Sequence, residues 1–244
     1  MSAPKKALIL AAGFGSRLAP MTEIIPKCLI SVSGTPIIFK QIENLLENGI
    51  GDITVVTGFK AQMLEETVRG RWPQVHCVES VDYATTNNMV SAYLGVKAMF
   101  PDGDIQPFLM MNADVFFDSS VLRALLAFEA PDAIVVDMGR YIEESMKVVE
   151  REGRLAAISK QIPPEAALGS SIDVYKFSAA GGAAFLEACK AYIEEKQELK
   201  KWSEVALNDV LEAGRPPFSA CPLDGRWYEI DNHEDLAAAV ALFS

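Results

Sequence analysis

Histidine is nearly missing from this chain: His76 and His233 are the only two in 244 residues. Neither falls at the end of a predicted strand, so chemistry that needs a histidine base has no obvious carrier. The four cysteines, Cys28, Cys77, Cys189 and Cys221, are far apart and match no metal-ligand or redox spacing. They read as reduced, mostly buried thiols of a cytosolic protein. Basic residues are also in deficit, 22 against 33 acidic for a net charge of −11. A general nucleic-acid surface is therefore disfavoured, and any anion site must be a local basic cluster that suits a small ligand. No long apolar run occurs. Met1 to Lys6 is a short polar start, and the apolar stretch behind it is only as long as a strand, too short for a signal core or a membrane span. A soluble, cytoplasmic protein with no membrane partner is expected. Repeats, low-complexity tracts and linkers rich in proline, glycine or serine are absent too, and half the residues are hydrophobic. That predicts one domain over 1–244, with a core of ordinary size and residues 141–222 as an insertion or lid on the substrate side.

What the chain does contain is concentrated first in Ala7-Leu8-Ile9-Leu10-Ala11-Ala12-Gly13-Phe14-Gly15-Ser16-Arg17-Leu18, with Pro26-Lys27 just beyond. Five apolar residues predict a strand buried on both faces, as in parallel sheets covered by helices. Gly13 and Gly15 let the backbone bend and bring its N–H groups close to a ligand. Successive N–H groups in such a turn form an anion nest, and Arg17 and Lys27 add two positive charges beside it. This combination suits a polyphosphate. A dinucleotide fingerprint would need glycine where Leu18 stands, and the Gly-Lys-Ser/Thr ending of a Walker loop does not occur. The ordinary alternative is a tight strand-to-helix turn with exposed basic residues.

Further along, apolar periodicity predicts a helix over 36–48 closed by Gly49, a strand over 53–57, a helix around Met63 to Val68 and a strand over 75–78. This alternation argues for an α/β fold with a doubly wound, mostly parallel (mixed) sheet, whose ligands sit at the carboxyl ends of the strands. Thr85-Thr86-Asn87-Asn88 precedes another helix; the asparagines either cap it or, with Ser91, reach a base edge or ribose. The strand over 107–111 delivers Asp114 to the same edge. A hairpin over 146–150 and 154–159 carries Lys147 and is followed by Lys160. A strand over 170–177, helices over 179–195 and 202–213, an edge segment over 217–222, a strand over 227–231 and a helix over 234–243 complete the reading.

The string Leu-Ala-Ala-Gly-x-Gly-Ser-Arg-Leu over 10–18, followed by Pro26-Lys27, resembles the nucleotidyltransferases that join a nucleoside triphosphate to a phosphorylated sugar or alcohol. Asn87-Asn88 with Ser91, Asp114 and Glu229-Ile230-Asp231 extend the resemblance over essentially the whole chain and imply a Rossmann-like fold. It implies nucleotide contacts at Leu10, Ala12, Gly13, Gly15, Ser16, Arg17, Lys27, Asn87, Asn88 and Ser91, and one Mg²⁺ held by Asp114 and Asp231. Catalytic roles fall to Arg17 and Lys27, and to Lys147, whose Met146-Lys147-Val148 setting resembles the position from which the family points a lysine at the phosphates. An acceptor oxygen that is already ionised would attack the α-phosphorus and release pyrophosphate, so no base is needed. Asn87-Asn88-x-x-Ser91-x-Tyr93-Leu94 looks closest to cytidylyltransferases for phosphocholine or 2-aminoethylphosphonate, which implies CTP and a small phosphate or phosphonate acceptor. Between Tyr141 and Gln161 the chain departs from the phosphocholine pattern, and no aromatic cage can be aligned there. Candidate acceptor contacts are Trp202, Glu204, Trp227 and Glu229, the two tryptophans being equally readable as core aromatics. A sugar- or inositol-1-phosphate transferase and a non-catalytic nucleotide-binding regulator are the alternatives. A monomer or homodimer is compatible with all three.

Overall fold

The computed structural model describes residues 3–244; Met1 and Ser2, the beginning of the polar start, lie outside the described residues. From the N-terminal end, β1 (Lys6–Ala11) leads through the basic turn to a one-turn helix α1 (Met21–Ile24) and a small hairpin, β2 (Ser31–Val32) and β3 (Thr35–Pro36). Then α2 (Ile37–Glu47), β4 (Asp52–Thr57), α3 (Ala61–Arg71), β5 (His76–Glu79), α4 (Asn88–Met99) and β6 (Phe108–Asn112) alternate. The second half carries β7 (Val115–Phe117), α5 (Ser119–Ala127), β8 (Ala133–Met138), β9 (Lys147–Arg151), β10 (Arg154–Ser159) and β11 (Gly169–Phe177). It closes with α6 (Ala179–Lys190), α7 (Ser203–Ala213), β12 (Ser219–Pro222), β13 (Trp227–Glu229) and α8 (His233–Leu242). The helix expected over 179–195 is α-helical to Lys190 and finishes as a wider π turn, Ala191–Glu195.

Nine strands make one mixed sheet. β5, β4, β1 and β6 are parallel neighbours, and β11 joins antiparallel to β6. After Lys6, β1 is apolar because both its faces are covered. Ala7, Ile9 and Ala11 enter the core under α2, α3 and α5, whereas Leu8 and Leu10 enter the core under α4, α6 and α7. Burying each large aliphatic side chain there contributes about 1.5–3 kcal/mol. On the second face α4 lies so close that a Cβ on Gly95 would stand 2.4 Å from Leu8 Cδ1. Residues 141–222 supply β9, β10, β11 and β12 of this same sheet, together with α6 and α7. The region expected to act as an insertion is thus continuous with the central sheet.

Two irregularities shape the ligand edge. First, β11 shifts register between Ser171 and Tyr175 along β8. Its other edge pairs β9 at Gly169 and Ser170 but β6 only from Val174 onward. Asp173 sits at this break with φ +56°, beside the carboxyl end of β6. Second, the chain leaves β6, turns through Ala113-Asp114 and re-enters as β7, which pairs antiparallel with β13 in the register Val115–Glu229. A third apolar cluster of Leu18, Ile30, Val32, Ile37, Phe116, Ile230 and Ala239 lies between this two-stranded ribbon and the basic turn.

Candidate active site

The carboxyl ends of β1 and β6, the break in β11, the start of α4 and the end of β13 surround one open crevice of about 380 Å³. Backbone pairing brings its parts together. Ala113 N–H donates to Leu10 O at 3.0 Å, and Ile230 N–H donates to Asp114 O at 2.9 Å. Carboxylates more than a hundred residues apart thereby become neighbours: single oxygens of Asp114, Glu229 and Asp231 lie within 4.8 Å of one another. From α2, Gln41 Nε2 donates to both Asn112 O and Val115 O at 2.8 Å and fixes the turn that carries Asp114. Asp231 does not serve as a helix cap. That task falls to Asn232, which forms a capping box with Asp235 and leaves the Asp231 side chain to the crevice.

The basic turn faces these acids. Gly15 is left-handed at φ +62°, and a Cβ there would stand 2.7 Å from Lys27 Cβ, so the glycine gives the lysine stem its path. Thr22 Oγ1 donates to Gly15 O at 3.0 Å and holds the turn. Lys27 Nζ donates to Asp114 Oδ2 at 2.9 Å and to Asp231 Oδ1 at 2.8 Å, and Arg17 Nη2 lies 2.7 Å from Asp231 Oδ2. Burial alone would lower the Lys27 pKa, but Asp114 and Asp231 outweigh it and hold the ammonium well above the lysine range. Burial opposes the charge on Asp231 as well, and there Lys27 and Arg17 prevail and lower its pKa. Among the described residues Glu229 has only the Ser145 hydroxyl (2.7 Å) as a hydrogen-bond donor. Burial, then Asp114 and Asp231, push it up to about 7.

The far end of the crevice is acidic and aromatic. Asn112 Nδ2 donates to Asp173 Oδ2 at 3.0 Å, and Tyr175 Oη donates to Asp173 Oδ1 at 2.8 Å with Glu204 Oε1 at 3.2 Å. Burial, then Glu204, Glu229 and Asp114, hold the Asp173 carboxyl well above the carboxylate range. Trp202 is 45% exposed at the crevice, with Lys160 Nζ 5.2 Å from its ring centre.

A family model described as Nucleotidyl transferase matches residues 6–160. The chain belongs to the nucleotidyl transferase family. Over 252 positions it is 27% identical to CMP-5'-(3-aminopropyl)phosphonate synthase of Streptomyces rubellomurinus, a match covering 99% of this chain and 39% of that protein. Over 96 positions it is 43% identical to 2-aminoethylphosphonate cytidylyltransferase of Lancefieldella rimae, covering 38% of this chain and 37% of that protein. The matches thus span about two fifths of the length of these curated relatives. Among solved structures, the inositol-1-phosphate CTP transferase from T. maritima shares the fold, with a TM-score of 0.78 at 19% identity over 98% of this chain and 97% of that one. No helix among the described residues is long and apolar enough to cross a membrane.

Leu10, Ala12, Gly13, Arg17, Lys27, Asn87, Asn88, Ser91, Asp114, Trp202, Glu204, Glu229 and Asp231 all line the crevice. Four expected residues do not. Gly15 and Ser16 are not among its lining residues, Gly15 shaping the turn as described. Lys147 is fully buried, donates to Glu143 O at 2.7 Å and lies 4.9 Å from the Tyr141 ring centre. In its place Lys160 lines the crevice. Trp227 is a core aromatic, 4% exposed, with Nε1 donating to Asp137 Oδ2 at 2.8 Å. The asparagines carry structural bonds besides: Asn87 Oδ1 accepts from Asn88 N–H, and Asn88 Oδ1 accepts from Ser203 N–H, each at 2.8 Å. Asp173 and Asn112 also line the crevice, although no sequence motif singles them out.

The donor set suits a hard divalent cation. Three carboxylates converge, and Asp114 Oδ1 is buried with no hydrogen-bond partner. Oxygen ligands of this kind, completed by water and substrate phosphates, fit Mg²⁺.

Proposed function

We propose that this chain transfers a nucleotidyl group, CMP from CTP in the favoured case, to a small phosphonate or phosphate that bears an ammonium, releasing pyrophosphate. One observation carries the reading. The crevice joins a cationic turn (Arg17, Lys27) and a carboxylate triad at one end to Asp173, Glu204 and Trp202 at the other. A cation there would offset the repulsion that keeps the Asp173 proton in place, whereas a second phosphate would add to it, and a half-exposed indole adds a face for the cation. The acceptor then lies with its anionic end toward Lys27 and Lys160 and its ammonium toward Asp173 and Glu204. The relatives named for aminophosphonates support the same acceptor class.

The residues act by placing charge. An acceptor oxygen forms a bond to the α-phosphorus as the bond from that phosphorus to the pyrophosphate oxygen breaks. The nucleophile is anionic at neutral pH, which agrees with a crevice that no histidine lines among the described residues. Arg17 and Lys27 neutralise the departing pyrophosphate, and the N–H groups of the Gly13 turn receive phosphate oxygens. Asp114, Glu229 and Asp231 would hold Mg²⁺, which when bound offsets charge on the transferring phosphate. Asn88, with Oδ1 engaged by Ser203, keeps an amide N–H₂ to offer a pyrimidine carbonyl.

Pyrophosphate release is the test, with Mg²⁺ and each of the four common nucleoside triphosphates. The acceptors are 2-aminoethylphosphonate, phosphocholine, glucose-1-phosphate and inositol-1-phosphate. CTP with an ammonium-bearing acceptor is the expected pair. Preference for the sugar or inositol phosphate would overturn the acceptor assignment, and silence with every pair would leave a nucleotide-binding protein without turnover.

A further inference from the structure

The two cations of the basic turn are held by two of the carboxylates that a divalent metal would use. Lys27 Nζ lies 2.9 Å from Asp114 Oδ2 and 2.8 Å from Asp231 Oδ1, and Arg17 Nη2 lies 2.7 Å from Asp231 Oδ2. Three of the four carboxylate oxygens of the two aspartates are therefore taken, and the fourth, Asp114 Oδ1, is buried without a partner. An ammonium and a dication held by the same two carboxylates repel each other at close range, so each weakens the other's hold.

We infer that Lys27, assisted by Arg17, is an exchangeable counter-cation: it neutralises Asp114 and Asp231 in the nucleotide-free protein and yields them to the metal only when a triphosphate offers it new anionic partners. This rests on the reading of the crevice as a metal–triphosphate site, but not on which acceptor is used or on turnover.

Three physical points carry it. The Lys27 side chain is only 13% exposed, so withdrawing it from both carboxylates with no anion to receive it leaves a poorly hydrated charge, which is costly. A triphosphate removes that cost by accepting the ammonium. Lysine also suits the exchange mechanically, because a flexible four-carbon stem lets Nζ swing while the stem stays in place. The Cβ-less face of Gly15 holds that stem, and Gly15 belongs to the turn whose N–H groups would meet the phosphates. Metal and triphosphate must then bind cooperatively, each raising the affinity of the other by the same factor.

Mn²⁺ titration followed by electron paramagnetic resonance tests this without turnover, using α,β-methylene-CTP as the nucleotide. Wild-type protein should bind Mn²⁺ weakly alone and about tenfold or more tightly with the analogue, within the range usual for coupled sites. Lys27→Met keeps the stem against Gly15 and removes the charge. It should bind Mn²⁺ about tenfold more tightly than wild type without nucleotide, and gain little when the analogue is added. A folded Lys27→Met protein that binds Mn²⁺ no more tightly than wild type overturns the inference. If that variant melts below the working temperature, Arg17→Met takes its place. Arg17 is 57% exposed and engages one Asp231 oxygen; a smaller tightening supports the exchange, and unchanged affinity refutes it. Cooperative binding of Mn²⁺ and analogue in a protein that releases no pyrophosphate would sink the transferase reading and leave this one standing.

Discussion

Replacing Gln41 by leucine asks whether Asp114 is placed by the helix behind it. Gln41 is wholly buried, and its Nε2 donates to two carbonyls, Asn112 O and Val115 O, both at 2.8 Å. These carbonyls flank Asp114. Leucine fills much of the same space but leaves both carbonyls without this donor, at about 1–3 kcal/mol each for a buried group left unpaired. The same change removes Gln41 Oε1, itself buried without a partner, which offsets roughly one such cost. The net loss should be about 1–3 kcal/mol. Asn44→Leu is the control. It loses one bond, to Phe117 O at 2.8 Å, and also removes one unpartnered oxygen, so the two effects nearly cancel. Urea unfolding should rank Gln41→Leu below Asn44→Leu, and the Mg²⁺ concentration for half-maximal pyrophosphate release should rise about tenfold for Gln41→Leu alone, since small misplacements of reacting groups are expensive. Equal stability and equal Mg²⁺ dependence in the two variants would refute the claim that Gln41 positions Asp114.

Other outcomes follow from the same geometry. Gly15→Ala forces a left-handed alanine, at about 1–2 kcal/mol, and pushes a methyl to 2.7 Å from Lys27 Cβ; melting temperature and turnover should both fall, and wild-type turnover would contradict the packing described. Glu229 is raised from 4.5 to about 7 by burial and then by Asp114 and Asp231. Between those values the folded protein keeps a proton that the unfolded chain has released, so its contribution destabilises the metal-free protein progressively as pH rises through that window. Urea midpoints in EDTA should therefore decline from pH 4.5 to 7 less steeply in Glu229→Gln than in wild type, and parallel curves would show that Glu229 does not titrate there. Lys160→Met should lower turnover about a hundredfold, as loss of a charged donor at a reacting centre does, while Lys147→Met stays within about twofold of wild type. The reverse ranking in a pyrophosphate-release assay would mean that the hairpin presents its other face.

The lysine pair shows what a sequence can and cannot reveal. A hairpin is legible in the alternation of 146–159 around Glu152-Gly153, and the structure gives those strands with Ser159 opposite Lys147. Side chains alternate faces along a strand, so a one-residue difference decides which lysine meets the ligand. Met146 and Lys160, one step beyond that pair on each strand, both line the crevice, and Lys147 turns to the other side. The Met146-Lys147-Val148 string carries no mark of this, because the face depends on how β11 receives the hairpin. β1 is easier. With helices on both faces every position from Ala7 to Ala11 is apolar, and a continuous run is what local reading detects. Asp114 is visible as a carboxylate at a strand end, but its meeting with Asp231 depends on β7 pairing with β13, a contact across half the chain with no local signature. Trp227 shares a strand face with Glu229 and Asp231, yet two residues of rise put it in the core instead of the crevice.

Asp173 is the more instructive omission, because its burial marks it. Every residue of Gly169–Phe177 is buried, and the stretch holds one carboxylate and one ammonium, Asp173 and Lys176. A buried charge is expensive unless it is paired or put to use; Lys176 is spent on Leu125 O and Phe128 O, whereas Asp173 lines the crevice. How it reaches the ligand has no such mark. An ordinary strand would bury Asp173 against a neighbour, but the register shift gives it a left-handed backbone at the point where β6 ends and β9 has not begun. Burial of the carboxylate identifies the residue, and the break in pairing gives it access.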